Sequence, residues 1–217
     1  MAELITVAVT DDEPEVRDAY RVIFSRHPEF ALCGEACDGP DGVALFLRQR
    51  PDVMLMDLKM PGMSGVDATA VICRHLPQAC ILALTTFGTL DLVVAALRAG
   101  ASGYLLKDCS ADGLTVALRQ AIAGEMPLSP AVRIALVDSI RSDRGATTQT
   151  IQPLTDRETE LLRWLAMGLG NQDIARKMYV SEGSVKQYLS HIGDKLGVRS
   201  RTQILVRSLQ LGVVSLQ

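Results

Sequence analysis

The sequence predicts an α/β domain with a doubly wound, five-stranded parallel sheet, followed by a small all-α domain. Short apolar runs, such as 53–56 and 81–84, are bounded by Gly, Pro or Asp, and longer helix-like segments separate them. This alternation is typical of buried parallel strands joined by crossover helices. The tail shows only helical periodicity. Residues 151–217 hold 9 Lys and Arg against 6 Asp and Glu, whereas residues 1–124 hold 10 against 16. An acidic front module and a basic back module are therefore expected.

Five β/α units account for the front of the chain. Turn sequences such as Asp38-Gly39-Pro40 and Met60-Pro61-Gly62 lie between strands and the helices that follow them. The strands are predicted over residues 4–10, 30–36, 52–57, 80–85 and 103–106. The helices that follow them are predicted over residues 13–26, 40–49, 64–75, 90–99 and 110–123.

A connector is predicted between the two modules. The expected boundaries are 1–124 for the first domain, 125–152 for the linker and 153–217 for the second domain. Within the linker, Ser129-Pro130 can begin a helix, with apolar residues recurring every four positions after it. Residues 144–150 are polar and aperiodic, which is typical of a flexible tether.

Four helices are predicted in the tail, and capping signals begin the first three of them; the fourth is predicted over about residues 201–211. Thr155 begins a capping box with Glu158, and Asn171 and Ser181 are predicted to cap the second and third helices. These two helices are short and close together, as in a helix-turn-helix. Apolar residues mark the buried face of the third helix, so its opposite face is available to a partner: Val185, Leu189, Ile192 and Leu196.

Composition argues against a membrane protein and against a secreted one. No apolar stretch approaches the ~20 residues that a membrane-spanning helix needs, and no basic, cleavable leader precedes the first strand. Five cysteines beside apolar segments fit reduced thiols, so a cytoplasmic location without membrane contacts is expected. Cys33 and Cys37 are four residues apart, but no second pair or nearby His completes a zinc site.

Polar residues at the ends of four strands indicate phosphoryl chemistry. Asp11 and Asp12 follow the first strand, Asp57 ends the third, Thr85 ends the fourth and Lys107 follows the fifth. Ligands bind at the carboxyl ends of the strands in such sheets, so these side chains should converge on one crevice. Taken singly, each has a commoner explanation as a helix cap or a solvated charge. Together they predict a divalent metal and a phosphoryl group.

In order and spacing, these residues resemble the motifs of two-component receiver domains. The resemblance covers residues 1–124 and rests on four stretches: Asp11-Asp12, Asp57 with 60–65, Leu84-Thr85, and 103–108. It implies a flavodoxin-like fold in which Asp57 accepts a phosphoryl group from a sensor histidine kinase. Asp108 stands where many receivers have Pro.

The same resemblance implies a role for each residue of the crevice. The implied Mg²⁺ ligands are Asp11 (through water), Asp12, Asp57 and the main-chain carbonyl of Lys59. Lys107 would neutralise phosphoryl charge. Thr85 and Tyr104 would form a switch pair that shifts the face of the fourth helix, fifth strand and fifth helix.

The tail resembles the LuxR-type DNA-binding domain over about residues 153–212, which places the whole chain in the NarL/FixJ class of response regulators. The matching stretches are 154–158, 168–175, 181–186 and 195–201. The outer face of the third helix would then enter the major groove. By family alignment, the base-edge candidates are Lys186, Gln187 and Ser190, and the phosphate candidates are Ser184, Arg199 and Arg201.

Three features of the tail add to this comparison. Gly170 replaces the usual Ser or Thr near the start of the second helix, which costs one expected backbone contact. Tyr188 replaces the usual His beside the buried face. By family analogy, the fourth helix is the candidate dimer surface of this domain, through Ile204, Leu205 and Leu209.

The expected function is that of a cytoplasmic, DNA-binding transcription regulator that phosphorylation of Asp57 switches, and not of an enzyme. Its expected partners are a sensor histidine kinase, double-stranded promoter DNA and a second copy on activation, with RNA polymerase as a compatible contact. An aspartate-based phosphohydrolase would need a second Asp at position 59, which is Lys59. The alternative left open is a regulator that binds DNA independently of phosphorylation and uses its receiver for protein contacts.

Overall fold

The computed structural model describes residues 4–86, 90–125, 152–198 and 200–214, and the single positions 132, 135, 138 and 139. In these ranges the strands are β1 (Ile5–Thr10), β2 (Phe30–Ala36), β3 (Val53–Asp57), β4 (Ile81–Thr85) and β5 (Gly103–Leu106). The helices of the same part are α1 (Pro14–Ser25), α2 (Gly39–Gln49), α3 (Gly65–His75), α4 (Leu90–Ala99) and α5 (Ala111–Ile122). The tail forms α6 (Asp156–Ala166), α7 (Asn171–Met178), α8 (Glu182–Leu196) and α9 (Arg201–Gln210).

The strands form one parallel sheet in the order β2-β1-β3-β4-β5. The order reverses direction at β1, so helices cover both faces and the sheet is doubly wound, as predicted. The structure therefore confirms the predicted fold class. Each predicted strand and helix of this sheet domain, which comprises β1 to α5, agrees with the observed element to within one residue.

Two apolar clusters hold the helices on the sheet. One face carries Val7, Leu55 and Leu82, and the opposite face carries Met54 and Met56, all fully buried. Alternate residues of β3 thus contribute to opposite clusters, because side chains alternate across a strand. Burying each such side chain contributes roughly 1.5–3 kcal/mol. This rigid framework fixes the positions of the residues at the strand ends.

The helical domain, which comprises α6 to α9, follows the capping signals with one correction. Thr155 forms the predicted capping box with Glu158, and the Ser181 side chain caps α8. The prediction that Asn171 caps α7 is wrong. Gly170 holds the N-cap position with extended backbone, and Asn171 is the first helical residue. Its side chain is hydrogen-bonded to other parts of the chain instead.

The two domains contact each other through α4 and α9. Thr202 Oγ1 donates to the Ser102 carbonyl at 2.8 Å, and Gln203 Nε2 donates to the Gly100 carbonyl at 2.9 Å. One apolar cluster joins residues of both domains, including Leu97 of α4. The three apolar residues expected to form a dimer surface are buried within the chain, namely Ile204, Leu205 and Leu209. In this conformation they are not available to a second copy.

Two further observations concern the sequence predictions. Among the described residues, no helix combines the length and apolar character that a membrane crossing requires. All five cysteines are free thiols. The predicted linker helix and the tether at 144–150 fall almost entirely outside the described residues, so those predictions and the exact domain boundaries stay predictions.

Candidate functional sites

The carboxyl ends of β1, β3 and β5 bring one ammonium and several carboxylates together. Lys107 Nζ lies 2.8 Å from Asp11 Oδ2 and 3.0 Å from Asp57 Oδ2. Asp11 and Asp57 are almost completely buried, and the Lys107 side chain is only 7% exposed. The predicted convergence of these three residues is therefore observed.

A third carboxylate, which sequence analysis did not single out, also binds this lysine. Glu13 Oε1 accepts a hydrogen bond from Lys107 Nζ at 3.0 Å, and the Glu13 side chain is 55% exposed. Glu13 precedes Pro14 at the start of α1 and provides no side-chain cap to that helix. An acidic residue directly after Asp11-Asp12 was the available signal. Its charge lies at the entrance of the crevice.

Backbone contacts hold the two buried carboxylates in place. The Glu13 amide donates to Asp11 Oδ1 at 3.0 Å, and the Lys59 amide donates to Asp57 Oδ1 at 3.2 Å. Each of these carboxylates therefore uses one oxygen for a backbone N–H and the other for Lys107. Fixed partners of this kind hold the carboxylates in one orientation before any ligand arrives.

The crevice has the donor set that Mg²⁺ prefers. Oxygen atoms of Asp11, Asp12 and Asp57 all lie within 4.8 Å of one another. Mg²⁺ binds through a few carboxylate oxygens and keeps sites for water and phosphate. The donor set therefore fits this ion. The predicted fourth ligand, the main-chain carbonyl of Lys59, stays a prediction, although the adjacent amide is hydrogen-bonded to Asp57.

Burial shapes the electrostatics of this site. Desolvation raises the pKa of both Asp11 and Asp57 above the ordinary carboxyl value, although the hydrogen bonds from Lys107 oppose the shift. Burial alone would lower the pKa of Lys107, but its bonds to Asp11, Asp57 and Glu13 outweigh it and raise that pKa. The carboxylates of this site therefore outnumber its one lysine, which stays protonated. A bound cation would neutralise the remaining negative charge.

The two expected switch residues lie on neighbouring strands. Thr85 is buried at the end of β4, and its hydroxyl has no hydrogen-bond partner within the described part of the chain. A buried hydroxyl without a partner is costly, so it is a donor that an incoming oxygen could satisfy. Tyr104 is half-buried and packs against the cluster that contains Leu97 of α4. Neither residue's role is tested by this arrangement.

A glycine permits the backbone to pass close to Asp57. A Cβ atom at Gly65 would lie 1.8 Å from the carbonyl oxygen of Asp57. Gly65 begins α3, whose N-cap is Ser64. Only glycine lets the loop after β3 return this closely to the backbone of Asp57.

The third helix of the helical domain presents the predicted outer face. Val185, Leu189, Ile192 and Leu196 are buried, as expected from their spacing. Lys186, Gln187 and Ser190 are exposed, whereas Ser184 is half-buried and its hydroxyl lies 2.8 Å from that of Ser181. Arg199 lies outside the described residues. Contact of these residues with DNA stays a prediction.

The Arg201 side chain is bonded within the chain. A free phosphate contact would instead point away from the domain. The Arg201 guanidinium donates to Asn171 Oδ1 at 2.6 Å and also to the carbonyl of Leu169. Asn171 Nδ2 in turn donates to Glu125 Oε1 of the sheet domain at 2.6 Å. No sequence pattern indicates this chain of contacts, because its members are far apart in the sequence and lie in different parts of the chain.

Comparisons with known families agree with this geometry. The family model for the response regulator receiver domain matches residues 7–119. The family model for bacterial regulatory proteins of the luxR family matches residues 152–208. The first match contains Asp11, Asp57 and Lys107, and the second contains α6, α7 and α8.

Known proteins resemble the chain over nearly its full length. The transcriptional regulatory protein YxjL of Bacillus subtilis is 39% identical over 212 residues, which cover 97% of each chain. The nitrate/nitrite response regulator NarL of Escherichia coli K12 is 36% identical, with 94% of each chain covered. Among solved structures, the crystal structure of the response regulator ChrA, from a heme-sensing two-component system, matches with a TM-score of 0.52. The two sequences are 33% identical, and the match covers 99% of this chain and 100% of that chain.

Proposed function

Because the chain belongs to the NarL/FixJ class of two-component response regulators, we propose that phosphorylation of Asp57 switches its DNA binding. Members of this family are DNA-binding transcriptional regulators and not enzymes. The observation that carries the proposal is the pairing of the buried Asp57 carboxylate with Lys107 at the carboxyl edge of the sheet. The phosphoryl donor is a sensor histidine kinase.

Asp57 is the phosphoryl acceptor. One of its carboxylate oxygens forms a P–O bond while the P–N bond of a phosphohistidine breaks, and the imidazole nitrogen keeps the electron pair. Lys107 neutralises charge on the transferred group, and the unsatisfied Thr85 hydroxyl donates to a phosphoryl oxygen. Tyr104 completes the switch on the side of α4.

Asp11, Asp12 and Asp57 are the carboxylates that would hold Mg²⁺, with the Lys59 carbonyl as the further ligand. When bound, the ion supplies positive charge that screens the acidic crevice from an incoming phosphoryl group. The three carboxylates would fix its position, and Lys107 binds two of them, Asp11 and Asp57. Glu13 adds negative charge at the entrance.

The helical domain binds double-stranded promoter DNA. The proposed base contacts are Lys186, Gln187 and Ser190, and the proposed phosphate contacts are Ser184, Arg199 and Arg201. Two copies of the chain bind two half-sites about one helical turn apart, and RNA polymerase is a further partner. Because α9 is covered by α4 here, we expect phosphorylation to loosen this contact before dimers form on DNA.

The decisive experiment treats the full chain with Mg²⁺ and a small phosphodonor such as acetyl phosphate. Intact mass spectrometry should show one added phosphoryl group, and peptide mapping should locate it at Asp57. Asp57→Asn is the matched variant, since it keeps the size of the side chain and removes the nucleophile. No added mass on the wild-type chain would contradict the proposal.

A second measurement separates the alternative, phosphorylation-independent regulator. The affinity for promoter DNA is compared with and without phosphodonor, in wild type and in Asp57→Asn. We expect the phosphodonor to raise the wild-type affinity and to leave the variant unchanged. Equal affinities in all four samples would favour the alternative.

A further inference from the structure

We infer that Asn171 is a DNA-phosphate contact that Arg201 orients, and that the carboxylate of Glu125 occupies this contact when the two domains are docked. The inference rests on the proposed DNA-binding function and adds to it one residue of the interface and its competitor. No resemblance assigned a role to Asn171 or Glu125.

The orientation of the Asn171 amide follows from its partners. An arginine has only N–H donors, so the atom that faces Arg201 Nη1 at 2.6 Å must be the Asn171 oxygen. The Asn171 NH₂ group is therefore directed at the opposite side, where it meets an acceptor. A guanidinium on the oxygen also polarises the amide and strengthens its N–H as a donor. Arg201 is a positioning residue in this arrangement.

The group that meets this donor is anionic. Asn171 Nδ2 donates to Glu125 Oε1 at 2.6 Å, and Lys186 Nζ lies 4.0 Å from the same oxygen. An amide N–H and a nearby ammonium that converge on one anionic oxygen are also the groups that bind a DNA phosphate. Asn171 is buried in this arrangement, and Ala123 and Gly124 from the end of α5 line the same small space of about 180 Å³.

Asn171 lies on the surface that the proposed base contacts share. Lys186 and Ser190 of α8 border the same space as Asn171 and Arg201. A DNA backbone that follows the outer face of α8 would therefore pass Asn171 once the sheet domain moves away. While the domains are docked, a carboxylate of the chain itself fills that position.

Glu125 follows the end of α5, and its backbone ties it to that helix. Its backbone N–H donates to the carbonyl of Gln120 in α5 at 2.6 Å, so it moves with that helix. Any movement of α5 relative to the helical domain therefore withdraws the carboxylate and exposes Asn171. The competition couples the position of α5 directly to the availability of a phosphate contact.

The test measures binding of the full-length, unphosphorylated chain to a fluorescein-labelled, mixed-sequence DNA duplex at fixed salt. A phosphate contact is independent of sequence, so this duplex suffices. Glu125→Gln should bind about tenfold tighter than wild type, which corresponds to ~1.4 kcal/mol. In an Asn171→Ala background, the same substitution should change the affinity less than twofold.

Glu182→Gln is the matched control, because Glu182 Oε1 lies 3.8 Å from Lys186 Nζ but belongs to α8 itself. It removes the same charge beside the same lysine, and its effect should be equal with and without Asn171. The inference is overturned if Glu125→Gln binds like wild type, binds no tighter than Glu182→Gln, or keeps its gain without Asn171.

Three further variants test the positioning role and guard against misfolding. Asn171→Asp keeps the oxygen that Arg201 binds but replaces the donor by an acceptor, so it should fold and bind duplex more weakly than wild type. Arg201→Lys should retain part of the Asn171 effect, whereas Arg201→Gln should abolish it. If Asn171→Ala changes the duplex affinity equally in the Arg201→Lys and Arg201→Gln backgrounds, the positioning role is excluded.

The outcome also separates this inference from the proposed function. If the phosphodonor-treated chain binds no duplex in any variant, both proposals fail. If it binds, and the Glu125 and Asn171 substitutions act independently of each other, only the present inference fails.

Discussion

The two regions that are proposed to bind phosphate groups are built in opposite ways. In the sheet domain, Asp11, Asp57 and Lys107 are buried, mutually bonded and held by backbone amides before any ligand is present. In the helical domain, Lys186 and Ser190 are exposed side chains beside a gap that the other domain closes. The first site is already assembled in the absence of a ligand. The second site is also formed, but the other domain covers it. In the proposed function, regulation therefore acts on access to the second site.

This difference also determines which substitutions should be damaging. A change in the assembled site disturbs several bonds at once, so its effects should be large and should appear in stability. A change at the covered site should alter domain docking and DNA affinity while it leaves most of the folding free energy intact.

Gly65→Ala should have the largest effect. Its Cβ would lie 1.8 Å from the Asp57 carbonyl oxygen, so the backbone of the assembled site must shift. We expect a loss of about 3 kcal/mol or more in the free energy of unfolding, as overpacking against rigid backbone can cause. Phosphorylation by acetyl phosphate should be lost as well. Urea unfolding and mass spectrometry measure the two effects.

Gly62→Ala is the control for that experiment. Gly62 lies in the same loop with φ +76°, and nothing lies within 4 Å of an added Cβ. It should cost only the ~1 kcal/mol of a left-handed residue and should leave phosphorylation intact. Equal losses in both variants would show that the close approach to Asp57 has no special importance.

Lys107→Met should have the next largest effect on stability. It leaves Asp11 and Asp57 without their shared cation, and we expect a loss of about 1–3 kcal/mol at pH 7. Added Mg²⁺ should restore part of the stability, because it replaces the lost positive charge. Thermal unfolding with Mg²⁺ and with EDTA measures both effects.

The pH dependence of the Lys107→Met effect has a definite sign. Burial already raises the pKa of Asp11 and Asp57, and loss of the lysine raises it further. The native state of the variant then binds more protons than the unfolded state, so its stability falls as pH rises through the window above the ordinary carboxyl pKa. The deficit relative to wild type should therefore shrink on acidification from pH 7 towards pH 4. A constant deficit would argue against a charge effect.

The sheet domain was far more predictable from sequence than the contact between domains. Strand-end residues such as Asp57 and Lys107 could be placed because topology alone brings the carboxyl ends of parallel strands together. The bonds of Glu125 to Asn171 and of Thr202 to Ser102 span long sequence separations and follow no periodic pattern. The prediction that Asn171 caps α7 is wrong because residues that favour the N-cap also occur in the first turn of a helix.

Thr202→Val should lower the free energy of unfolding less than the substitutions in the sheet domain do. It should weaken the contact between the two domains more than they do. Its hydroxyl donates to the Ser102 carbonyl across the domain contact, and the loss leaves that buried acceptor unsatisfied. We expect a cost of about 1 kcal/mol and a few-fold tighter binding of duplex DNA by the unphosphorylated chain. Ser208→Ala is the control, because within the described part of the chain its hydroxyl donates to the Ile204 carbonyl inside α9. It should lower stability without any change in DNA affinity.

Of these substitutions, Gly170→Ser should change the free energy of unfolding least, and it should raise it rather than lower it. Gly170 is the N-cap of α7, has extended backbone and offers no side-chain acceptor to the helix amides. Nothing lies within 4 Å of an added Cβ, so a serine hydroxyl can cap α7 without displacing any group. At N-caps, serine stabilises a helix more than glycine by only a few tenths of a kcal/mol, but more than alanine by about 1 kcal/mol.

Gly170→Ala is therefore the informative comparison. A serine variant more stable than the alanine variant by about that amount would establish the cap, whereas equal stabilities would show that the amides of α7 are already satisfied by other groups in the docked chain.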